Sequence, residues 1–197
     1  MSSTSASASP SSARAAGRRA ALAPALLVAA LGAGMPAAAK VFYTQEEALA
    51  LAFPDAERVE ARNWVLTDEQ AGRIEELSRA KLDSKLVRAW RGAKGDTILG
   101  WALIDVHTVR TQAEAFLVVL TPEGSVRTVR MLAFHEPLDY LPPERWYEQF
   151  DGKTRDDPLR VGGDIHGIAG ATLSSRATAD GVRRALAIYQ VLLAGER

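Results

Sequence analysis

The sequence predicts one α+β domain: a twisted antiparallel sheet of about four to five strands, packed with helices at its N- and C-terminal ends. Three observations carry this expectation. Two capping boxes in the first third each open a short helical period. The middle third is a series of strand-like segments separated by turn chemistry. The chain then closes on a long amphipathic stretch.

Residues 1–39 read as a segment apart from the fold. A Ser/Ala-rich start reaches Arg14, Arg18 and Arg19; an apolar run from Ala20 to about Met35 follows, then Pro36-Ala37-Ala38-Ala39. Basic region, short apolar region and small-residue cleavage site, in that order, make a secretory signal peptide. The run is short for a bilayer span, so cleavage after Ala39 is the expectation and an uncleaved inner-membrane anchor the alternative. Arg18-Arg19 would suit a twin-arginine route, but Ala20-Ala21-Leu22 adds no support, and the route stays open. The domain is then expected over residues 40–197, periplasmic in location.

Thr44-Gln45-Glu46-Glu47 opens a helix that buries Leu49, Ala52 and Phe53 and stops at Pro54. Glu57 to Leu66 has strand composition around Val59, Trp64 and Val65. Thr67-Asp68-Glu69-Gln70 opens a second helix with Ala71, Ile74 and Leu77 on one face. Leu86 to Arg91 reads as a strand and Gly92 to Gly95 as a turn. Thr97 to Val106 is apolar on both faces, as a central strand would be, and Ala113 to Leu120 is similar. Thr121-Pro122-Glu123-Gly124 is turn chemistry, and Ser125 to Phe134 returns as the partner strand. Pro142 and Pro143 open a short helix through Trp146 to Phe150, and Asp151 to Gly163 is loop. The last helix runs from about Leu173 to Leu193. Val182, Ala185, Leu186, Tyr189, Leu192 and Leu193 form its buried stripe, with Arg183, Arg184 and Gln190 toward water. Gly181 in its middle predicts close packing.

Composition excludes several chemistries. Without residues 1–39 the chain loses three arginines and no acid, leaving a mildly acidic domain and no basic face for nucleic acid. There is no cysteine, so disulfides, thiolate-held iron–sulfur clusters, thioether-linked haem and a cysteine nucleophile are all absent. The three histidines, His107, His135 and His166, have spacings that match no metal-ligand pattern.

The most informative stretch is Gly167-Ile168-Ala169-Gly170-Ala171-Thr172-Leu173-Ser174-Ser175. Small residues allow close backbone approach, and the first turn of a helix offers unpaired N–H groups and partial positive charge. The local reading is an anion site with Thr172 in it, the alternative being an ordinary threonine cap.

At Gly170-Ala171-Thr172-Leu173-Ser174 the chain resembles the FMN-binding domain family, whose members include the C subunit of the sodium-translocating NADH:quinone reductase and the G subunit of the Rnf complex. In that family a Ser/Thr-Gly-Ala-Thr signature carries FMN on its last threonine through a phosphoester bond. A FAD:protein FMN transferase makes that bond outside the cytoplasm. The resemblance makes Thr172 the flavinylated residue and a phosphoprotein of the chain. Gly170 and Ala171 precede it as the small residues, with Leu173 and Ser174 beside it. Arg130 to Pro137 is similar to the strand that enters the family's Glu-Thr-Pro loop, which implies that His135 and Glu136 lie near the flavin ring. Trp146 to Lys153 is similar to the family's Trp…Phe-x-Gly-Lys segment, which brings Trp146 toward the cofactor. The resemblance spans about Thr97 to Leu193, and Val41 to Gly95 only by general pattern. Two departures stand out: Ala169 replaces the signature's hydroxyl residue, and His166 stands where an acid is frequent; His166 is near enough in sequence to reach the phosphate.

What the resemblance implies is an exported electron carrier that passes electrons to or from a membrane-bound or periplasmic redox partner, rather than a stand-alone enzyme. No acid–base pair for substrate chemistry stands out. Two other readings remain open here: a flavin reductase-like enzyme acting on a dissociable acceptor, and a flavin-free interaction module of the same fold.

Overall fold

The computed structural model describes residues 40–196; the expected export segment, residues 1–39, lies outside them. In chain order the elements are β1 (Lys40–Val41), α1 (Gln45–Ala52), β2 (Arg58–Val65), α2 (Asp68–Ser78), β3 (Leu86–Lys94), β4 (Thr97–Thr108), β5 (Ala113–Leu120), β6 (Val126–Phe134) and α3 (Thr172–Ile188). Two 3-10 turns, Leu138–Tyr140 and Glu144–Phe150, lie between β6 and α3. The strands form one antiparallel sheet in the order β1-β6-β5-β4-β3-β2.

Both capping boxes form as the sequence predicts. Thr44 Oγ1 accepts from Glu47 N at 3.2 Å while Thr44 N donates to the Glu47 carboxylate at 2.8 Å. Thr67 and Gln70 exchange the same pair of bonds at 3.1 and 3.0 Å. The sheet has six strands, more than the four to five expected. The addition is β1, whose two residues pair Lys40 with Phe134 and Val41 with Ala133; so short a strand has no readable period. A second correction concerns Gly92 to Gly95. β3 continues through Lys94, which pairs with Thr97, so the turn is confined to Gly95 and Asp96. Gly92 is a packing glycine: a Cβ there would overlap the Phe53 ring.

The sheet has a core on each face. On one, α2, α3 and the Glu144–Phe150 turn cover Trp101, Phe116, Val118, Leu120, Val129 and Met131. On the other, Ala48, Ala52 and Phe53 from the α1 segment cover Trp90, Ala102, Leu117 and Val119. The apolar character of β4 and β5 on both faces follows from this double cover.

α3 passes into a π-type turn, Tyr189–Leu193, where Ala194 N donates to Tyr189 O at 2.9 Å. Its stripe of Val182, Ala185, Leu186, Tyr189 and Leu193 is buried, and Gln190 is exposed. Arg183 and Arg184 do not face water, contrary to expectation. Arg184 grips the Asp105 carboxylate with Nε at 3.0 Å and Nη2 at 2.8 and 2.7 Å. Arg183 donates to Ser78 O at 2.8 Å and Leu159 O at 2.7 Å. The helix is flanked by α2 and the 155–160 segment as well as by the sheet, so its polar side is also in contact. Gly181 packs as predicted; a Cβ there would strike Phe116 and the Asp105 carboxylate.

Antiparallel register gathers several loops at one end of the sheet. Thr108 pairs with Ala113 and Glu114 with Phe134, so the 109–112 turn lies beside the segment that leaves β6, and His135 N donates to Ala113 O at 3.3 Å. α3 is anchored over Asp105 and Phe116, which directs its first turn to the same end.

Candidate functional site

At that end lies a cavity of about 180 Å³, lined by Val109, Arg110, Glu136, Tyr140 and the run Gly170 to Ser174. Three stretches far apart in sequence meet there.

The first turn of α3 supplies the floor. Ala171, not Thr172, is the N-cap, no side chain caps the helix, and no acid lies in its first turn. The backbone donors of that turn and its partial positive charge therefore face the cavity. Thr172 is exposed, and its hydroxyl only turns back to Ile168 O at 3.4 Å. The ordinary-cap reading of Thr172 fails on this geometry. Gly170 has φ +88°, a backbone that other residues resist. Ala171 is buried and Leu173 is half exposed at the rim. Ser174 is buried at 1 % exposure, and its Oγ has no hydrogen-bond partner. Ser175 differs, because its hydroxyl donates to Ala171 O at 2.9 Å within the helix.

Glu136 forms the opposing wall. It is buried, and its Oε1 accepts from Thr111 N at 2.9 Å, Gln112 N at 3.0 Å and the Thr111 hydroxyl at 3.4 Å. The Thr111 amide is the chief reason that its carboxyl titrates below the ordinary range, against the opposing pull of desolvation. Arg110 adds a guanidinium 4.5 Å above the Tyr140 ring centre. Among the described residues it has no carboxylate at ion-pair distance.

The other expected site residues do not line this cavity. His135 is partly buried beside it. His166 is exposed, and its backbone is clamped: its carbonyl accepts from the Trp146 indole at 2.6 Å and its N–H donates to Gln149 Oε1 at 2.7 Å. Trp146 is 3 % exposed, edge-on to Tyr147 and Phe150. It supports the loop that leads into α3 from within the core. Sequence reasoning missed Val109, Arg110 and Tyr140. The hairpin register between Thr108 and Ala113 was the signal that could have placed the Arg110 turn here.

An uncapped helix start, a partnerless buried hydroxyl, a guanidinium and a glycine in the left-handed region together fit a phosphate group. The cavity is smaller than the roughly 300 Å³ at which whole-ligand pockets begin, so it suits the phosphate end of a larger molecule. A larger groove of about 680 Å³ beside β6 has Tyr43, Met131, Leu141 and Pro143 in its wall, and the one helix start there carries Glu144 in its first turn, which disfavours an anion.

Residues 112–187 match the family model of the FMN-binding domain. This stretch of the chain is similar to an FMN-binding domain, and the match indicates FMN as the cofactor. The match runs from the start of β5 almost to the end of α3, so Glu136 and the Gly170 to Ser174 wall lie inside it. Val109 and Arg110, which complete the cavity, precede it. None of the curated proteins matches the chain.

Proposed function

We propose that this protein is an exported electron carrier whose FMN is esterified to Thr172. The observation that carries the reading is an exposed threonine hydroxyl at an uncapped helix start, in the wall of a phosphate-sized cavity. FMN, when bound, supplies the uptake and release of electrons.

The chain's own residues attach and orient. Thr172 provides the oxygen that replaces AMP on the FMN phosphorus of FAD. One P–O bond forms as the pyrophosphate bond breaks, and the hydroxyl proton goes to a base on a FAD:protein FMN transferase. The first-turn amides of α3 and the Ser174 hydroxyl hold the resulting anion, which the helix start favours by about 0.3–1 kcal/mol. Attachment makes loss of the cofactor irrelevant outside the cytoplasm, where residues 1–39 would send the domain. The redox partner is membrane-bound or periplasmic. Among the described residues no helix is long and apolar enough to cross a membrane.

The test is intact mass after co-expression with an active transferase. Wild type should gain FMN less water, and Thr172→Ala should gain nothing. A gain retained in the variant would move the attachment elsewhere, and no gain in wild type would end the proposal.

A further inference from the structure

We propose that Arg110 is a phosphate-binding residue of the flavin site and that Glu136 is the residue that positions it. The inference rests on the reading of FMN at Thr172 and extends it to Arg110, which precedes residues 112–187, the stretch that matches the family model.

The turn is built tightly. Val109 N donates to Gln112 O at 3.0 Å and closes it. Arg110 sits inside with φ 38°, a left-handed backbone that a residue with a side chain adopts at a cost. The opposing contribution comes from Glu136: two successive amides, Thr111 N and Gln112 N, converge on its Oε1, and the Thr111 hydroxyl joins them. A buried carboxylate thus binds the backbone immediately after the strained residue. The guanidinium carbon lies 4.5 Å over the Tyr140 ring centre, a cation–π contact that limits where the side chain can go.

Charge then decides what Arg110 faces. Glu136 already accepts from three donors of the turn. The Arg110 charge helps to hold its carboxyl below the ordinary range, yet among the described residues no acid, Glu136 included, lies at ion-pair distance of Arg110. Its positive charge enters the same cavity as the uncapped start of α3 and the partnerless Ser174 hydroxyl. A planar fork of N–H donors beside a helix terminus is the arrangement that recognises phosphate oxygens. Glu136 does not touch the phosphate; it acts by setting the turn.

Calorimetric titration of the full chain, purified without transferase, separates these roles with FMN and riboflavin as paired probes. Arg110→Gln should weaken FMN about tenfold and leave riboflavin, which has no phosphate, within about twofold. Glu136→Gln should weaken FMN in the same sense, and the double variant should be no worse than Arg110→Gln alone, because both act through one guanidinium. Unchanged FMN affinity in Arg110→Gln, or an equal loss for both probes, overturns the assignment while the flavin reading stands. Additive losses in the double variant overturn the positioning role of Glu136. If wild type binds neither probe, the Arg110 assignment falls, while the flavin reading stands or falls on the mass measurement alone.

Discussion

Thr172 and Ser174 stand two residues apart in one helical turn and differ in every physical respect. One is exposed with a weak backward bond; the other is sealed at 1 % exposure with nothing to bond. A buried hydroxyl without a partner loses its hydration and gains nothing in return. Ser174→Ala should therefore leave the apo protein's unfolding free energy within about 0.5 kcal/mol of wild type, or raise it. FMN affinity should fall several-fold in the same variant. Urea unfolding and a flavin titration check the two halves, and unchanged affinity would remove Ser174 from the site. The Gly170 to Ser174 run was legible because small residues, hydroxyls and a helix start are local in sequence. The burial of Glu136 was not, because its donors Thr111 and Gln112 come from a turn about 25 residues earlier and meet it only through strand register.

At the scale of elements, helix starts and central strands were legible because caps and apolar runs are short-range signals. α3 was read correctly along its apolar stripe and wrongly along its arginines, since an amphipathic pattern assumes one packed face. Here α2 and the 155–160 segment supply another, and carbonyl groups at Ser78 and Leu159 take the Arg183 guanidinium. The tightest point is Gly181 against Phe116 and Asp105. Gly181→Ala gains helix propensity of about 1 kcal/mol, yet the forced methyl group should cost more than this. A net loss of about 1–3 kcal/mol is expected from overpacking, read as a lower denaturant midpoint at unchanged slope. A neutral or stabilising result would mean that the helix can slide off the sheet without loss.

Across the whole molecule, the polar link between α3 and the sheet, Arg184 on Asp105, is backed by one histidine. His107 donates from Nδ1 to Asp105 and from Nε2 to the fully buried Glu114, each at 2.7 Å, with Phe116 edge-on to its ring and Arg184 reaching Asp105 from α3. Burial alone would lower its pKa, but the two carboxylates outweigh burial and raise it to about 9. A cation held more tightly when folded contributes stability in full below its unfolded value of about 6.5, and that contribution fades as pH rises through about 9. Asp105 is held below its ordinary range: burial opposes this, but the His107 bond and Arg184 prevail, so its share fades only in acid. Melting temperature should therefore decline between about pH 7 and 10. His107→Gln should be less stable at pH 6 and show a flatter profile over that alkaline range; a parallel profile would place the alkaline loss elsewhere. The indole clamp of Trp146 on the His166 carbonyl has a practical consequence of another kind. A rigid tryptophan emits where flavins absorb, and this one is fixed to the loop that enters α3. Energy transfer should dim the protein's ultraviolet emission as FMN is taken up, so the domain reports its own loading without a label.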